Sequence, residues 1–356
     1  MTRPGLTEPA PRRILIIRAS AIGDVVFAAP MAEALRRTYP GAHIAWLVEP
    51  GIHELLLADP CVDEIIIWPK GEWRTLWRER HFGRLAARVA AFAKRLKAAR
   101  FDLVLDLQGL LKSGLLTWMT RAPRRVGLGS REGSQWLMTQ VIPIGGQLER
   151  ISSEYLHCAE QLGLSCGDFR PRMSVSPEAD AQARALLAER GLEPGRYAVL
   201  APFTTRPQKH WFVDAWQALA PALRDRFGLV PVILGGPADR DPAEVICAGS
   251  AGIVSLAGET RLPQAAALVQ HAGLLVGVDT GLTHMGIALN TPTVALFGST
   301  RPYLDTTRLN ARVIWLGLDC SPCRRRPTCG GSFDCLRDIT PQRVLEEAAL
   351  VLEAPR

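Results

Sequence analysis

The stretch Gly273-Leu274-Leu275-Val276-Gly277-Val278-Asp279-Thr280-Gly281-Leu282-Thr283-His284 decides how the rest of the chain is read. Its apolar first half has the character of a buried strand, and Met285-Gly286-Ile287-Ala288-Leu289 continues as a helix stopped by Asn290 and Pro292. The polar cluster Asp279-Thr280-Gly281 therefore falls on a strand-to-helix turn. In an open α/β sheet that turn lies at the carboxyl edge of the strands, where ligands bind. A helix starting near Gly281 aims backbone N–H groups and a positive dipole end at an anion. Gly281 admits a phosphate close to the backbone, Thr280 and Thr283 add hydroxyls, and His284 lies one helical turn in, within reach of a phosphate. The same residues also suit plain helix capping by Asp279 or Thr280.

Working outward, the pattern repeats. Residues 14–17 form a short apolar strand, followed by Arg18-Ala19-Ser20-Ala21-Ile22-Gly23-Asp24 and a helix to about Arg37. Further strands are expected at 43–48, 65–68, 102–107 and 124–127, with a helix near 152–162. The turn-rich stretch 165–177 reads as a linker. A second series follows, with strands at 197–200, 229–234, 253–256, 274–278 and 293–297 and helices between them, including 211–226 and 263–272. Two such series in 356 residues predict two Rossmann-like, doubly wound α/β domains facing across a cleft. The expected divisions are 1–170, 171–340, and a last helix in 341–356 that packs back toward the N-terminal domain.

Composition narrows the function classes. No run of about 18 apolar residues is present, so no transmembrane helix is expected. The first residues lack the apolar core of a signal peptide, which predicts a cytoplasmic protein. The net charge of +7 is concentrated: from Lys70 to Arg100 ten cationic side chains stand against Glu72 and Glu79. Leu85, Val89, Phe92 and Leu96 mark an amphipathic helix there, and Trp73, Trp77 and Phe82 interleave with arginines. This segment reads as a solvated helix face with ordinary core aromatics, as a surface for anionic lipid, or as a nucleic-acid surface, since charge alone does not decide between the last two. Cys61, Cys158, Cys166 and Cys247 are scattered, as reduced thiols are. Cys320, Cys323, Cys329 and Cys335 lie within sixteen residues, close enough in sequence to bind zinc or iron or to remain thiols.

Several side chains suit group transfer. Asp24, after Gly23 at the first strand-helix turn, is a candidate general base for a sugar hydroxyl, or a helix-capping aspartate. Thr204-Thr205 offer hydroxyls after the first strand of the second series. Lys209, just before a helix, could neutralise a diphosphate leaving group or be a solvated loop lysine. Asp239, after Gly235-Gly236, could bind a ribose hydroxyl. No G-x-G-x-x-G follows a strand, which speaks against a nicotinamide cofactor.

Taken in order, Arg18-x-Ser20-x-x-Gly23-Asp24, Asp106-x-Gln108-Gly109-x-x-Lys112-Ser113, Thr204-Thr205 with Lys209-His210-Trp211, and Asp279-Thr280-Gly281-Leu282-x-His284 resemble the family 9 glycosyltransferases, the lipopolysaccharide heptosyltransferases. The resemblance runs from Ile14 to about Leu352. It implies a GT-B fold, an ADP-heptose donor on the C-terminal domain, an acceptor on the N-terminal one, and inverting transfer with no cofactor and no required metal. It implies Asp24 as catalytic base. Lys209 with the Thr280 and Gly281 amides would hold the diphosphate, Thr204, Thr205, Asp279 and His284 would complete the donor pocket, and Asp239 would hold the ribose. Ser20, Gln108, Lys112, Arg131 and Glu132 would approach the acceptor. The partners it implies are an ADP-sugar, an anionic lipid A–core acceptor and the inner face of the inner membrane, reached through the Lys70 to Arg100 segment; nucleic acid is not among them.

Acceptor identity stays open on the same residues. The stretches Gln108-Gly109, Lys112-Ser113 and Asp279-Thr280 resemble the first heptosyltransferase, which acts on the inner-core keto-acid sugar. Leu256-Ala257-Gly258-Glu259-Thr260 and the stretch from Asp338 to Glu346 resemble the second, which extends heptose. The cysteine cluster is similar to that of members that bind iron and glycosylate proteins. The alternatives are therefore a family 9 enzyme with a protein or other glycan acceptor, or a nucleotide-diphosphate-binding protein without transfer activity at the membrane surface.

Overall fold

The computed structural model describes residues 10–323 and 326–355. The described chain divides into two compact units: the residues to Leu148 with Ser152–Pro171, and Glu149–Ile151 with the chain from Arg172 onward.

The first unit alternates β1 (Arg13–Ile17), α1 (Ile22–Thr38), β2 (His43–Val48), β3 (Glu64–Ile67), α2 (Lys70–Arg78), α3 (Phe82–Ala98), β4 (Leu103–Asp106), α4 (Leu111–Met119), β5 (Arg124–Leu128), β6 (Gln140–Ile142) and α5 (Ser153–Gln161). Its strands pair in parallel in the order β3-β2-β1-β4-β5-β6. Both faces of this sheet are covered, so its strands are apolar throughout rather than alternating. Ile14, Ile16, Ile44 and Trp46 pack with α1 and α5 residues on one face; Leu15, Ile17, Ala45 and Leu47 pack with Phe92, Leu96 and Leu116 on the other. Each fully buried Ile or Leu here contributes roughly 1.5–3 kcal/mol.

The second unit follows the same plan with α6 (Pro177–Glu189), β7 (Tyr197–Ala201), α7 (Val213–Phe227), β8 (Val230–Ile233), α8 (Arg240–Ala248), β9 (Val254–Ser255), α9 (Leu262–His271), β10 (Leu274–Val278), α10 (Gly281–Ala288), β11 (Thr293–Phe297), β12 (Ala311–Trp315), α11 (Asp334–Arg337) and α12 (Pro341–Glu353). The strand order is β12-β11-β10-β7-β8-β9, again all parallel. Read from β9, this is the order of the first sheet. The expected fold class is the one found: two doubly wound α/β units of the GT-B kind.

Two details concern the expected divisions. Glu149–Ile151 belongs to the second unit, where the Ile151 N–H donates to the Asp305 carbonyl and the Asp305 N–H to the Glu149 carbonyl, both at 2.9 Å. The final helix α12 lies against α7, β11 and β12 of the second unit, because its apolar stripe Val344, Leu345, Ala348 and Val351 faces that unit's own core.

Candidate active site

Arg131 and Glu132 follow β5 and Asp239 follows β8, but in each unit most of the polar residues singled out by sequence collect at the carboxyl ends of the first and fourth strands, β1 and β4 or β7 and β10. These neighbouring strands carry the switch in winding direction, where open α/β sheets bind ligands.

In the first unit, Asp24 is the third residue of α1. Its Oδ2 accepts the Ala21 N–H at 3.0 Å and lies 2.6 Å from Nη2 of Arg18. It thus serves the helix end and faces a cation at once. Arg18 leaves the end of β1 and donates from Nη1 to the Leu107 carbonyl at 3.0 Å, which fixes the guanidinium between the β1 and β4 ends. At the end of β4, buried Asp106 accepts the N–H groups of Gln108 (3.0 Å) and Gly109 (3.1 Å) and the Ser113 hydroxyl (2.9 Å). Burial pushes this carboxyl up to about 6, against the pull of those hydrogen bonds. Gly109 turns the chain at φ +64°, and a Cβ there would lie 2.4 Å from the Leu128 carbonyl oxygen. The turn aims Gln108 back at β1, where its Oε1 accepts the Ala19 N–H at 2.9 Å.

Arg18, Gln108, Gly129, Arg131, Ile144 and Glu154 line a pocket of about 130 Å³ beside this cluster. Ser20 faces another way: its hydroxyl donates to Oε1 of Glu49 at 3.2 Å, and Lys70 Nζ reaches the same oxygen at 2.7 Å. Lys112 is held below the ordinary lysine range, first by partial burial and then by Lys70, with Glu49 and Glu132 opposing. Glu132 accepts the Leu111 N–H at 3.4 Å. The expected acceptor residues therefore fall into a pocket group, Gln108 with Arg131, and a basic group around Lys112, Glu132 and Ser20.

In the second unit, Thr280 stands at the start of α10 and makes no side-chain cap, so capping does not account for this cluster. Asp279 is the hub. Its Oδ2 lies 2.6 Å from Lys209 Nζ and accepts the Thr300 hydroxyl at 2.5 Å; its Oδ1 lies 3.1 Å from His284 Nε2. His284 Nδ1 meets the Tyr303 hydroxyl at 2.6 Å. Burial alone would raise the Asp279 carboxyl, but His284 and Lys209 outweigh it and hold it well below the usual carboxylate range. The Thr204 carbonyl is bonded to His210 Nε2 at 2.8 Å, which shapes the loop carrying Lys209, while Thr205 is exposed. Asp239 accepts the Gly236 N–H at 2.7 Å.

Sequence reading missed Arg18, Glu49, Lys70, Asp106, Glu154, Thr300 and Tyr303 as site residues. Arg18, Glu49 and Asp106 each stand at or just past a strand end, the signal that had singled out Asp24 and Asp279. The four C-terminal cysteines are free thiols, with Cys335 buried and Cys320 exposed. Among the described residues no three His, Cys, Asp or Glu side chains are arranged to hold a metal ion. Among the same residues no helix is long and apolar enough to cross a membrane.

Residues 89–332 match the family described as glycosyltransferase family 9 (heptosyltransferase). The chain belongs to glycosyltransferase family 9. This makes it a glycosyltransferase, and its relatives are enzymes of lipopolysaccharide assembly. It is 30% identical to lipopolysaccharide heptosyltransferase 1 of Pseudomonas aeruginosa, over 96% of this chain and 99% of that one. It is also 30% identical to lipopolysaccharide heptosyltransferase 2 of Escherichia coli, again over 96% and 99%. Among solved structures, the E. coli ADP-heptose lipopolysaccharide heptosyltransferase II superposes with a TM-score of 0.73 at 27% identity, over 96% of this chain and 98% of that one. The E. coli heptosyltransferase WaaC with ADP-2-deoxy-2-fluoro heptose gives 0.72 at 26% identity, over 94% and 99%. Similarity to both type 1 and type 2 enzymes matches the mixed motifs of this family 9 sequence.

Proposed function

We propose that this family 9 enzyme moves heptose from ADP-heptose, with inversion, to a hydroxyl of the lipopolysaccharide inner core at the cytoplasmic face of the inner membrane. The observation that carries this reading is the use of equivalent strand ends in the two units for complementary chemistry. One presents a carboxylate beside a fixed guanidinium; the other presents a lysine and an uncapped helix N-terminus. The relative solved with an ADP-heptose analogue supports the same donor here.

In this reading Asp24 accepts the proton of the acceptor hydroxyl as its oxygen attacks the anomeric carbon. The bond to the diphosphate breaks, and ADP leaves with the electron pair. Lys209 keeps two of its three donors beyond Asp279 for the leaving diphosphate, and the first amides of α10 at Thr280 and Gly281 add fixed positive ends. Asp279 positions Lys209. His284, held through Asp279 and Tyr303, stabilises Asp279 rather than reaching for phosphate itself. Asp239 holds the ribose, with Thr204 and Thr205 beside the donor. Gln108 and Arg131 face the acceptor from the pocket, and Lys112, Glu132 and Ser20 approach it from the basic group beside it. No step in this scheme requires a metal or other cofactor. The cationic face of α2 and α3 draws the enzyme to anionic lipid.

The test is ADP release from ADP-heptose with de-heptosylated lipid A–core, alongside Asp24→Ala. Acceptor-dependent release that is lost in the variant, with ADP binding kept, supports the scheme. Release only with a heptose-bearing core or a protein would reassign the acceptor. Absence of donor binding would overturn it.

A further inference from the structure

Helix α4 is turned inside out. Its buried positions are Ser113, Gly114, Leu116 and Thr117, whereas Leu111, Leu115 and Trp118, spaced i, i+4 and i+7, point to solvent at 42%, 42% and 40% exposure. A surface helix normally shows polar residues outward. The inward polar groups have structural work: Ser113 holds Asp106, Thr117 bonds the Ser113 carbonyl, and Gly114 leaves room for Ser134. Nothing in the fold explains the outward leucines and tryptophan. Beside them, on the 3-10 turn Ser134–Leu137 that packs against α4, Trp136 is 84% exposed.

The surroundings say what covers this stripe. The Arg121 guanidinium lies 3.6 Å from the Trp118 ring centroid. The cationic helix α3 packs next to α4, and Lys112 sits on α4 itself. Glu132 is turned to the Leu111 N–H at the inner end. Leucines flanked by tryptophans and arginines match the layering of an anionic bilayer: acyl chains, then the headgroup level where Trp and Arg sit amphipathically. The stripe also starts within one helical turn of the Gln108-Gly109 turn and Lys112, on the acceptor side of the proposed site.

We propose that Leu111, Leu115, Trp118 and Trp136 dock on the anionic bilayer that holds the acceptor, a contact made by apolar insertion in addition to the cationic face of α2 and α3. The acceptor part of this inference rests on the transferase reading above. The docking part stands on its own.

The test uses the full-length protein and the double variant Leu115→Ser/Trp136→Ser, with ADP binding as the folding control. Flotation is measured with vesicles of equal parts phosphatidylcholine and phosphatidylglycerol, and tryptophan quenching with the same vesicles carrying brominated acyl chains. The wild type should float and be quenched, and the double variant should partition about tenfold or more weakly. Its KM for an acylated core acceptor should rise by a similar factor while its KM for the de-acylated acceptor stays put. Equal flotation of both proteins, absence of quenching, or an equal KM change with both acceptors would overturn the proposal. If the wild type releases ADP with neither acceptor, the transferase reading and its glycolipid acceptor fall together, and flotation with quenching still decides the docking surface.

Discussion

Arg18 and Asp24 meet at 2.6 Å across a steep step in exposure: 11% of the arginine side chain reaches solvent, against 42% of the aspartate. The guanidinium is fixed from behind by the Leu107 carbonyl, and the carboxylate is the accessible partner. If Asp24 is the base, Arg18 is its positioning residue. Arg18→Met should lower kcat by about 10²-fold or more, and Asp24→Asn by about 10²–10⁴-fold.

Lys209 and Asp279 are both largely buried, at 15% and 14% side-chain exposure. Removing Lys209 leaves the Asp279 carboxylate to His284 and Thr300 alone. Lys209→Met should destabilise the protein by about 2–4 kcal/mol in urea denaturation and raise the KM for donor. The double variant Lys209→Met/Asp279→Leu should lose less stability than the sum of the single changes, because no unpaired charge remains. Additive losses would show that the two do not act as a pair.

Asp106 and Asp279 stand at the ends of equivalent strands, β4 and β10, and titrate in opposite directions. Asp279 is held low, so its contribution is present above the unfolded value near 4 and is lost as pH falls below it. Asp106 is raised to about 6, so the native state binds the proton more tightly than the unfolded chain. Its contribution is full below about pH 4 and is lost as pH rises through about 6. Asp106→Asn keeps acceptors for the two amides and a donor for Ser113. Relative to wild type the variant should therefore gain about 2–3 kcal/mol between pH 4 and pH 7. Urea denaturation of both proteins across that range checks the sign.

The aromatics of the basic segment part company in the fold. Trp73 packs edge-on against Trp68 and Phe92, with ring centroids at 6.2 and 5.5 Å, whereas Trp77 and Phe82 meet edge-on at 5.3 Å in the open. Trp73→Ala should cost about 3 kcal/mol, and Trp77→Ala less than about 0.5, by thermal or urea unfolding.

These contrasts mark where sequence reading reaches and where it stops. The central strands were legible because burial on both faces makes them continuous apolar runs. The edge strands β6 and β12 were not: Gln140 and Val141 are exposed, and β12 carries Arg312 outward. The helix starting at Gly281 was legible from Asp279 and Gly281 alone. That Lys209 and Thr300 converge on Asp279 was not, since they come from other strand ends brought together only by sheet order. Trp73 and Trp77 carry the same local pattern, and only the position of α2 on the sheet separates core from surface. The reversed α4 was illegible for a related reason, because its leucines read as core in any hydrophobic pattern.

The bridge between Glu149–Ile151 and Asp305 bears on how such a chain is taken apart. A single break at Pro171 would leave the first fragment carrying three residues that complete the second fragment's fold, and would strip the Asp305 backbone of both partners. Anyone recombining halves of two such chains must carry that insert along with the C-terminal half.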